Sequence, residues 1–445
     1  MTLLYLCIFL AVIVHAFATR TDLFSPAKIF VLAYSSNLAV VSLQLSRYQG
    51  PWSSTTHMLF WGSAAMYIAG CMIARQMRSI FLPGLSGDPS HLRAALAEDA
   101  KSVNWSRFAH VLYFAASVYL FGYLVAVLLV GTIPILSENP DATRLEFIGA
   151  SRFTNMAWFF GPAAIILSVE YLLFATSERR SKCRIGVLLA VVLVTYLTYL
   201  TRVDLFRALV FAALLYHYGR VNLRPKHLVL LGIGFVIAFV AFAFVRASTD
   251  VQSMISAAAG MRLPPWLLWA AQPYAYVVGN FWNMDYAFRM YVDGVGHYPR
   301  EWGFELLRPF LGFIGLEAAF VESYGLDGVF NESIMKRSVS NSTNYVWHMY
   351  KDFGAIGLYL QTFIVGFAIS VFYYNTFAKP TLLRVSLWCV LAGLIAFSVT
   401  TAFWTMWFAY MNLGLLAVAH GSVVLVGRRS WVLGNKSDTK WSQCT

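Results

Sequence analysis

Apolar residues dominate this chain in long blocks separated by short polar stretches. Eleven blocks stand out, at about residues 2–18, 27–45, 57–76, 108–130, 154–175, 185–201, 204–219, 228–246, 353–374, 385–402 and 404–426. A helix crosses the hydrocarbon core of a bilayer with about 20 apolar residues, within a working range of about 17–25. The pattern therefore predicts an all-α polytopic membrane protein with about 11 transmembrane helices. An odd number of crossings puts the two termini on opposite sides. The blocks divide the chain into N-terminal helices with short loops (1–245), one long connection (246–352), C-terminal helices (353–428) and a polar tail (429–445). A connection that long is expected to be functional or disordered, and its content of Trp, Tyr, Phe and Asn argues against disorder. Its apolar, proline-broken stretch from Pro264 to Trp282 is expected to lie along the membrane surface as interfacial or re-entrant helix.

Composition narrows the class. Of 445 residues, 59% are hydrophobic and 12% charged, against about 25% charged in an average soluble domain. A soluble enzyme is excluded. The formal net charge of +12 is no sign of nucleic-acid binding, because the basic residues form no continuous run. It reads as an orientation signal. With the loop from Arg75 to Arg107 placed in the cytoplasm, Lys28, the cluster from Arg179 to Arg184, Arg220, Arg384 and the tail fall on the same side. On that side the acids are Asp22, Asp88, Glu98, Asp99, Glu178 and Asp438, and nearly all others face outward. The N-terminus is thus expected outside, which in a bacterium is the periplasm, and the C-terminus in the cytoplasm. Leu3 to Phe17 lacks a basic leader and a small-residue cleavage site, so it is expected to be a retained span. The five cysteines have neither disulfide nor metal-ligand spacing. Glu170 and His420, near the cytoplasmic face, are expected to be solvated or capping groups.

Three clusters could carry chemistry. The 35 residues at 185–219 must supply two crossings and a turn. That leaves about 16 residues per span, about 24 Å of helix, against a core of about 30 Å. The turn Thr201-Arg-Val-Asp-Leu-Phe-Arg207 is then held at the outer edge of the hydrocarbon, where charges by default mark a site. Asp204 and Arg207 can pair three residues apart, leaving Arg202 to face an anion. A snorkelling, self-neutralised loop is the alternative. The second cluster is Gly131-Thr-Ile-Pro-Ile-Leu-Ser137 with Arg144 and Arg152 beyond it; a guanidinium fork suits phosphate. The third is the stretch from Asn341 to Gly357, with amides at Asn341 and Asn344. It places His348 and Asp352 four apart, as a general base and its orienter. The alternative makes Asp352 a helix cap and His348 an ordinary interface residue. Elsewhere in the long connection stand Asn280, Asn283, Asp285, Arg289, Glu305, Arg308, Glu317 and Glu322. Asp285 and Arg289 form an i,i+4 pair that structure alone could explain. Aromatics among amides and carboxylates suit a carbohydrate-contacting surface, and an interfacial aromatic belt has the same composition.

In order, Gly131-Thr-Ile-Pro-Ile-Leu-Ser137, Arg144-Leu-Glu-Phe147, Thr201-Arg202 and Asn344-Tyr-Val-Trp-His-Met-Tyr-Lys-Asp-Phe-Gly-Ala-Ile-Gly357 resemble the O-antigen or oligosaccharide repeat-unit polymerase family (Wzy-type) over about residues 108–375. Val203-Asp204 departs from the small residues that pattern leads one to expect after Thr-Arg. The resemblance implies a GT-C-like glycosyltransferase of the bacterial inner membrane with its active site facing the periplasm. Such enzymes transfer a growing glycan from undecaprenyl diphosphate to the next lipid-linked unit. Arg144, Arg202 and Arg207 would stabilise the pyrophosphate as charge develops. His348, Asp352 or Asp285, in that order, would take the hydroxyl proton. Asn280, Asn344, Tyr345 and Tyr350 would contact glycan. No cofactor or metal is implied; the partners would be lipid-linked oligosaccharides, the bilayer, a chain-length regulator and a flippase. The alternatives are an O-antigen ligase, which uses the same leaving group, and a polysaccharide transporter or flippase. A transporter leads one to expect charges along several span centres, whereas here they gather at the outer face.

Overall fold

The apolar blocks fold as helices in the computed structural model. It describes residues 1–81 (apart from 20 and 48), 89–176, 179–199, 202–221, 260–294 (apart from 262), 301–313, 344–398 and 410–421 (apart from 411), with scattered positions between. The helices are α1 (Thr2–Ala18), α2 (Pro26–Val41), α3 (Ser54–Phe81), α4 (Pro89–Ser102), α5 (Trp105–Val130), α6 (Pro140–Gly149), α7 (Arg152–Trp158), α8 (Phe160–Phe174), α9 (Arg179–Tyr199), α10 (Arg202–Gly219), α11 (Ala271–Phe288), α12 (Phe304–Phe313), α13 (Tyr345–Ala378) and α14 (Leu382–Phe397). Among the described residues there is no strand, only a bridge between Ser46 and Met261. Among the described residues, five stretches are long and apolar enough to cross a membrane: Ser54–Arg78, Trp105–Leu136, Arg152–Phe174, Arg179–Tyr199 and Tyr345–Ala378. α1, α2, α14 and Leu205–Gly219 are apolar but shorter. The chain is an all-α, multi-pass membrane protein. The blocks expected at 228–246 and 404–426 lie largely outside the described residues.

Local chemistry sets several boundaries. Asn104 caps α5 by accepting the Arg107 N–H at 3.2 Å, and Gly131 ends that helix with φ +79°, a conformation that favours glycine. Asn139 and Pro140 open α6, and Ser151 and Thr154 form a capping box at α7. Two boundaries differ from expectation. α9 starts at Arg179, so Arg179, Arg180, Lys182 and Arg184 form helix rather than loop. Arg and Lys are good helix formers whose long stems keep the charge in water. At 21 residues, α9 is about 31 Å long, enough to cross a core of about 30 Å. α13 starts at Tyr345 rather than near 353, because the Asn344 side chain accepts the Val346 N–H at 3.2 Å and Tyr345, Val346 and Trp347 are buried.

The chain forms two compact units. Unit one comprises Met1–Gly87, Arg224–Lys379 and Val390–Tyr410; unit two comprises Asp88–Leu223, Pro380–Cys389 and Met411–Thr445. In unit one, α13 lies along α3 in a contact closed by glycines. A Cβ on Gly366 would fall 2.4 Å from the Tyr67 carbonyl oxygen, and one on Gly70 would fall 2.4 Å from that of Phe363. Small residues let membrane helices approach this closely. Gly366→Ala should therefore push the pair apart and cost about 1–3 kcal/mol, read as a lower melting temperature in detergent. Gly186→Ala, half-exposed on α9 with nothing within 4 Å of an added Cβ, is the control; equal melting of the two variants would refute the close contact.

Unit two is built around α8, whose residues from Gly161 to Ser168 are all buried. The expectation for Glu170 and His420 is corrected here. Glu170 is 0% exposed, its Oε1 lies 2.8 Å from His420 Nε2, and Ser386 Oγ donates to its Oε2 at 3.0 Å. At this burial neither group can stay solvated, so each is kept by a partner.

Candidate functional site

The predicted anion-binding residues belong to unit two. Arg144 is half-buried on α6. One turn later Phe147 is fully buried and meets Tyr123 and Tyr199 edge-on, at centroid distances of 5.5 and 4.9 Å. Tyr199 ends α9, and Arg202 opens α10 three residues on. The turn Pro134–Leu136 also packs against α9. The helix bearing Arg144 therefore packs on the end of α9, three residues before Arg202, at one end of unit two. Arg207 is half-buried one turn into α10, and Arg152 is exposed at the start of α7. The side chains of Arg202 and Asp204, and the whole of Thr201, lie outside the described residues. The segment following Gly131 is two short helices rather than one loop, which fixes the position of Arg144.

In unit one the stretch Asp352-Phe-Gly-Ala-Ile-Gly357 is a broken helix. Gly354 adopts φ +72°, ψ −157° inside α13, backbone that is essentially confined to glycine. A Cβ on Gly357 would fall 2.1 Å from that of Phe353. Beside the break, the carbonyls of Lys351 and Asp352 accept the N–H groups of Glu301 and Trp302, each at 3.1 Å. Gly303, with φ +92°, then turns the chain into α12. Asp352 Oδ1 accepts the Glu305 N–H at 2.9 Å, satisfying a donor in the first turn of α12.

Glu305 is thereby carried into the centre of a charged cluster. It is 1% exposed. Lys351 Nζ bonds its Oε1 and lies 3.2 Å from Glu301 Oε1. His348 Nδ1 is 2.9 Å from Glu305 Oε2, and Arg308 Nη1 is 3.3 Å from Oε1. Burial works against ionising this carboxyl. The charge of Lys351 above all, then His348 and Arg308, outweighs burial and holds it well below the usual carboxylate range. An ionised carboxylate only accepts hydrogen bonds, so the contact places a proton on His348 Nδ1, and a neutral imidazole held this way carries its lone pair on Nε2. The His348 side chain is 19% exposed, so the imidazole links a buried charge cluster to the surface.

The other predicted residues of unit one take different places. His348 and Asp352 do not pair: His348 partners Glu305, and Asp352 caps α12. Asp285 accepts the Ser53 N–H at 2.9 Å and the Arg289 Nε–H at 2.7 Å, anchoring the entry to α3. Asn280 is buried and donates to the Tyr276 carbonyl at 2.6 Å. Asn344 caps α13 and donates to Met284 Sδ at 3.1 Å. Tyr345 is buried with its hydroxyl 3.0 Å from Ser63 Oγ. Tyr350 is buried against Phe288 and Trp347. These last four, expected to contact glycan, are all buried. Asn341, Glu317 and Glu322 lie outside the described residues. Sequence reasoning passed over Lys351 and Glu301. The available signal was a lysine among aromatic and apolar residues, where a charge needs a partner.

A family model described as "Putative O-antigen polymerase" matches residues 5–259. That is more than half of the chain and includes the loop from Gly131, Arg144 and the Thr201-Arg202 turn. No curated protein and no solved structure matches. With the described residues helical, the Arg144 helix packed on the end of α9 and the family pattern running through both segments, the chain belongs to the O-antigen polymerase family.

Proposed function

We propose that this protein polymerises oligosaccharide repeat units carried on undecaprenyl diphosphate, at the periplasmic face of a bacterial inner membrane, for O-antigen, capsule or exopolysaccharide synthesis. The observation that carries this reading is the packing of the Arg144 helix, through Phe147, on Tyr199 at the end of α9, three residues before Arg202. Membership of the family supplies the reaction class, and the arginines supply what its leaving group needs. A hydroxyl of the incoming unit attacks the anomeric carbon of the growing glycan. The bond from that carbon to the diphosphate breaks, and its electron pair leaves with undecaprenyl diphosphate. Arg144, Arg202 and Arg207 are assigned to the charge that develops on the diphosphate. His348 is assigned the hydroxyl proton. Asp352 and Asp285, the other candidate bases, are occupied in holding helix ends. The eleven-span, GT-C-like topology with its N-terminus outside belongs to the same reading and is supported by the distribution of charge between loops. A flippase would supply the units, and a chain-length regulator would set how far they extend.

Purified protein in proteoliposomes, given one synthetic undecaprenyl-diphosphate-linked repeat unit, should produce a ladder of glycan lengths on a gel. In cells, deletion should leave a single repeat unit on an intact core. Absence of any ladder from active, folded protein would overturn the reading, and a ligase would give that result.

A further inference from the structure

We propose that Glu305 is a positioning residue for His348, presenting its Nε2 as the proton acceptor in glycan transfer; this rests on the polymerase reading above. The geometry gives three reasons. Glu305 Oε2 lies 2.9 Å from His348 Nδ1, so the contact keeps a proton on Nδ1, selects the Nε2-acceptor tautomer of the neutral ring and fixes its orientation. Glu305 is itself fixed: its N–H is held by Asp352 Oδ1 at 2.9 Å, and its other oxygen is bonded by Lys351 and Arg308. The charged groups around it are Glu301 from the segment before α12, Arg308 on α12, and His348, Lys351 and Asp352 on α13. Three cations around one carboxylate keep it an acceptor when the imidazole gains a proton. The step balances. The acceptor oxygen forms its bond to the anomeric carbon and gives its proton to Nε2, and the diphosphate departs with the electrons of the broken bond. The imidazolium then shares its positive charge with Glu305 until the proton returns to water. An orienting carboxylate of this kind acts through the imidazole without touching substrate.

The test compares wild type, E305Q, E305D, H348Q and the E305Q/H348Q double variant in proteoliposomes with the synthetic lipid-linked unit, beside thermal melts of each. E305Q should lower kcat at least about tenfold with KM within about twofold of wild type. H348Q should lose about 10²–10⁴-fold, the usual worth of a general base. The double variant should be no slower than H348Q, because residues acting as one device are not additive. E305D keeps the charge that Lys351 and Arg308 need but draws the carboxylate back by one methylene. It should melt near wild type with kcat reduced about tenfold, so it decides the matter if E305Q proves unstable. Wild-type kcat in either Glu305 variant, or additive losses in the double variant, would overturn the positioning role while a wild-type ladder leaves the polymerase reading standing. If wild type itself makes no ladder, the polymerase reading fails and this inference fails with it.

Discussion

Lys351→Met is expected to destabilise unit one by about 3–5 kcal/mol, the usual result of removing one partner from a buried ion cluster. Lys351 bonds Glu305 and lies 3.2 Å from Glu301, and both carboxylates have side chains only 2% exposed. Without the lysine two buried acids face each other, with Arg308 and His348 left to offset them. The damage should spread, because the same segment docks on the broken helix through the Glu301 and Trp302 N–H groups. The effect has a pH signature. A carboxyl depressed in the folded state contributes stability above its unfolded pKa, about 4.3, and loses it as pH falls through the folded value. Wild type should therefore keep the Glu305 contribution at neutral pH and lose it only in acid below about pH 4.3. With Lys351 gone, Glu305 loses its strongest attraction, its folded pKa rises toward the unfolded value, and the acid-dependent loss should shrink. Thermal melts in detergent at stepped pH read both effects. A variant melting within a degree of wild type at pH 7 would show that the cluster contributes nothing to stability.

Arg202→Ala and Arg144→Ala should each lower polymerisation about 10²–10³-fold, the loss typical when one donor to a developing oxyanion is removed, with melting temperatures unchanged. Arg144→Lys and Arg202→Lys should recover only part of the rate, because an ammonium lacks the bidentate fork. Arg152→Ala is the control. Arg152 stands exposed at the start of α7, where losing one surface charge should alter turnover less than about twofold. Quantified ladders from proteoliposomes decide the matter. Wild-type yield and length distribution in Arg202→Ala would remove the arginine from the mechanism.

The pattern of apolar blocks was enough to read an all-helical membrane protein, because spanning a bilayer imposes one length and one composition on each helix. The helix end at Gly131 was legible for a related reason: helix breakers are conspicuous in an apolar chain. Helix boundaries were less legible where charged residues are themselves good helix formers, as at Arg179 to Arg184. The segment from Asn344 to Asp352 shows the other limit. Its polar residues suggested an exposed mouth, yet Asn344 is a cap and Asp352 holds the start of a helix forty-eight residues earlier in the chain.

By itself the sequence determined the membrane class, the residue types available for an anion and a proton, and the glycines that permit α13 to break. Tertiary structure alone decided which acid belongs to which base. Glu305 and His348 are 43 positions apart, and no periodicity links positions so distant. Their pairing depends on Gly354 turning the backbone, on two carbonyls catching the 301–302 segment, and on burial that makes an unpaired charge too costly to leave. Such a pairing is set by the free energy of desolvation, which exists only once the chain has closed around it.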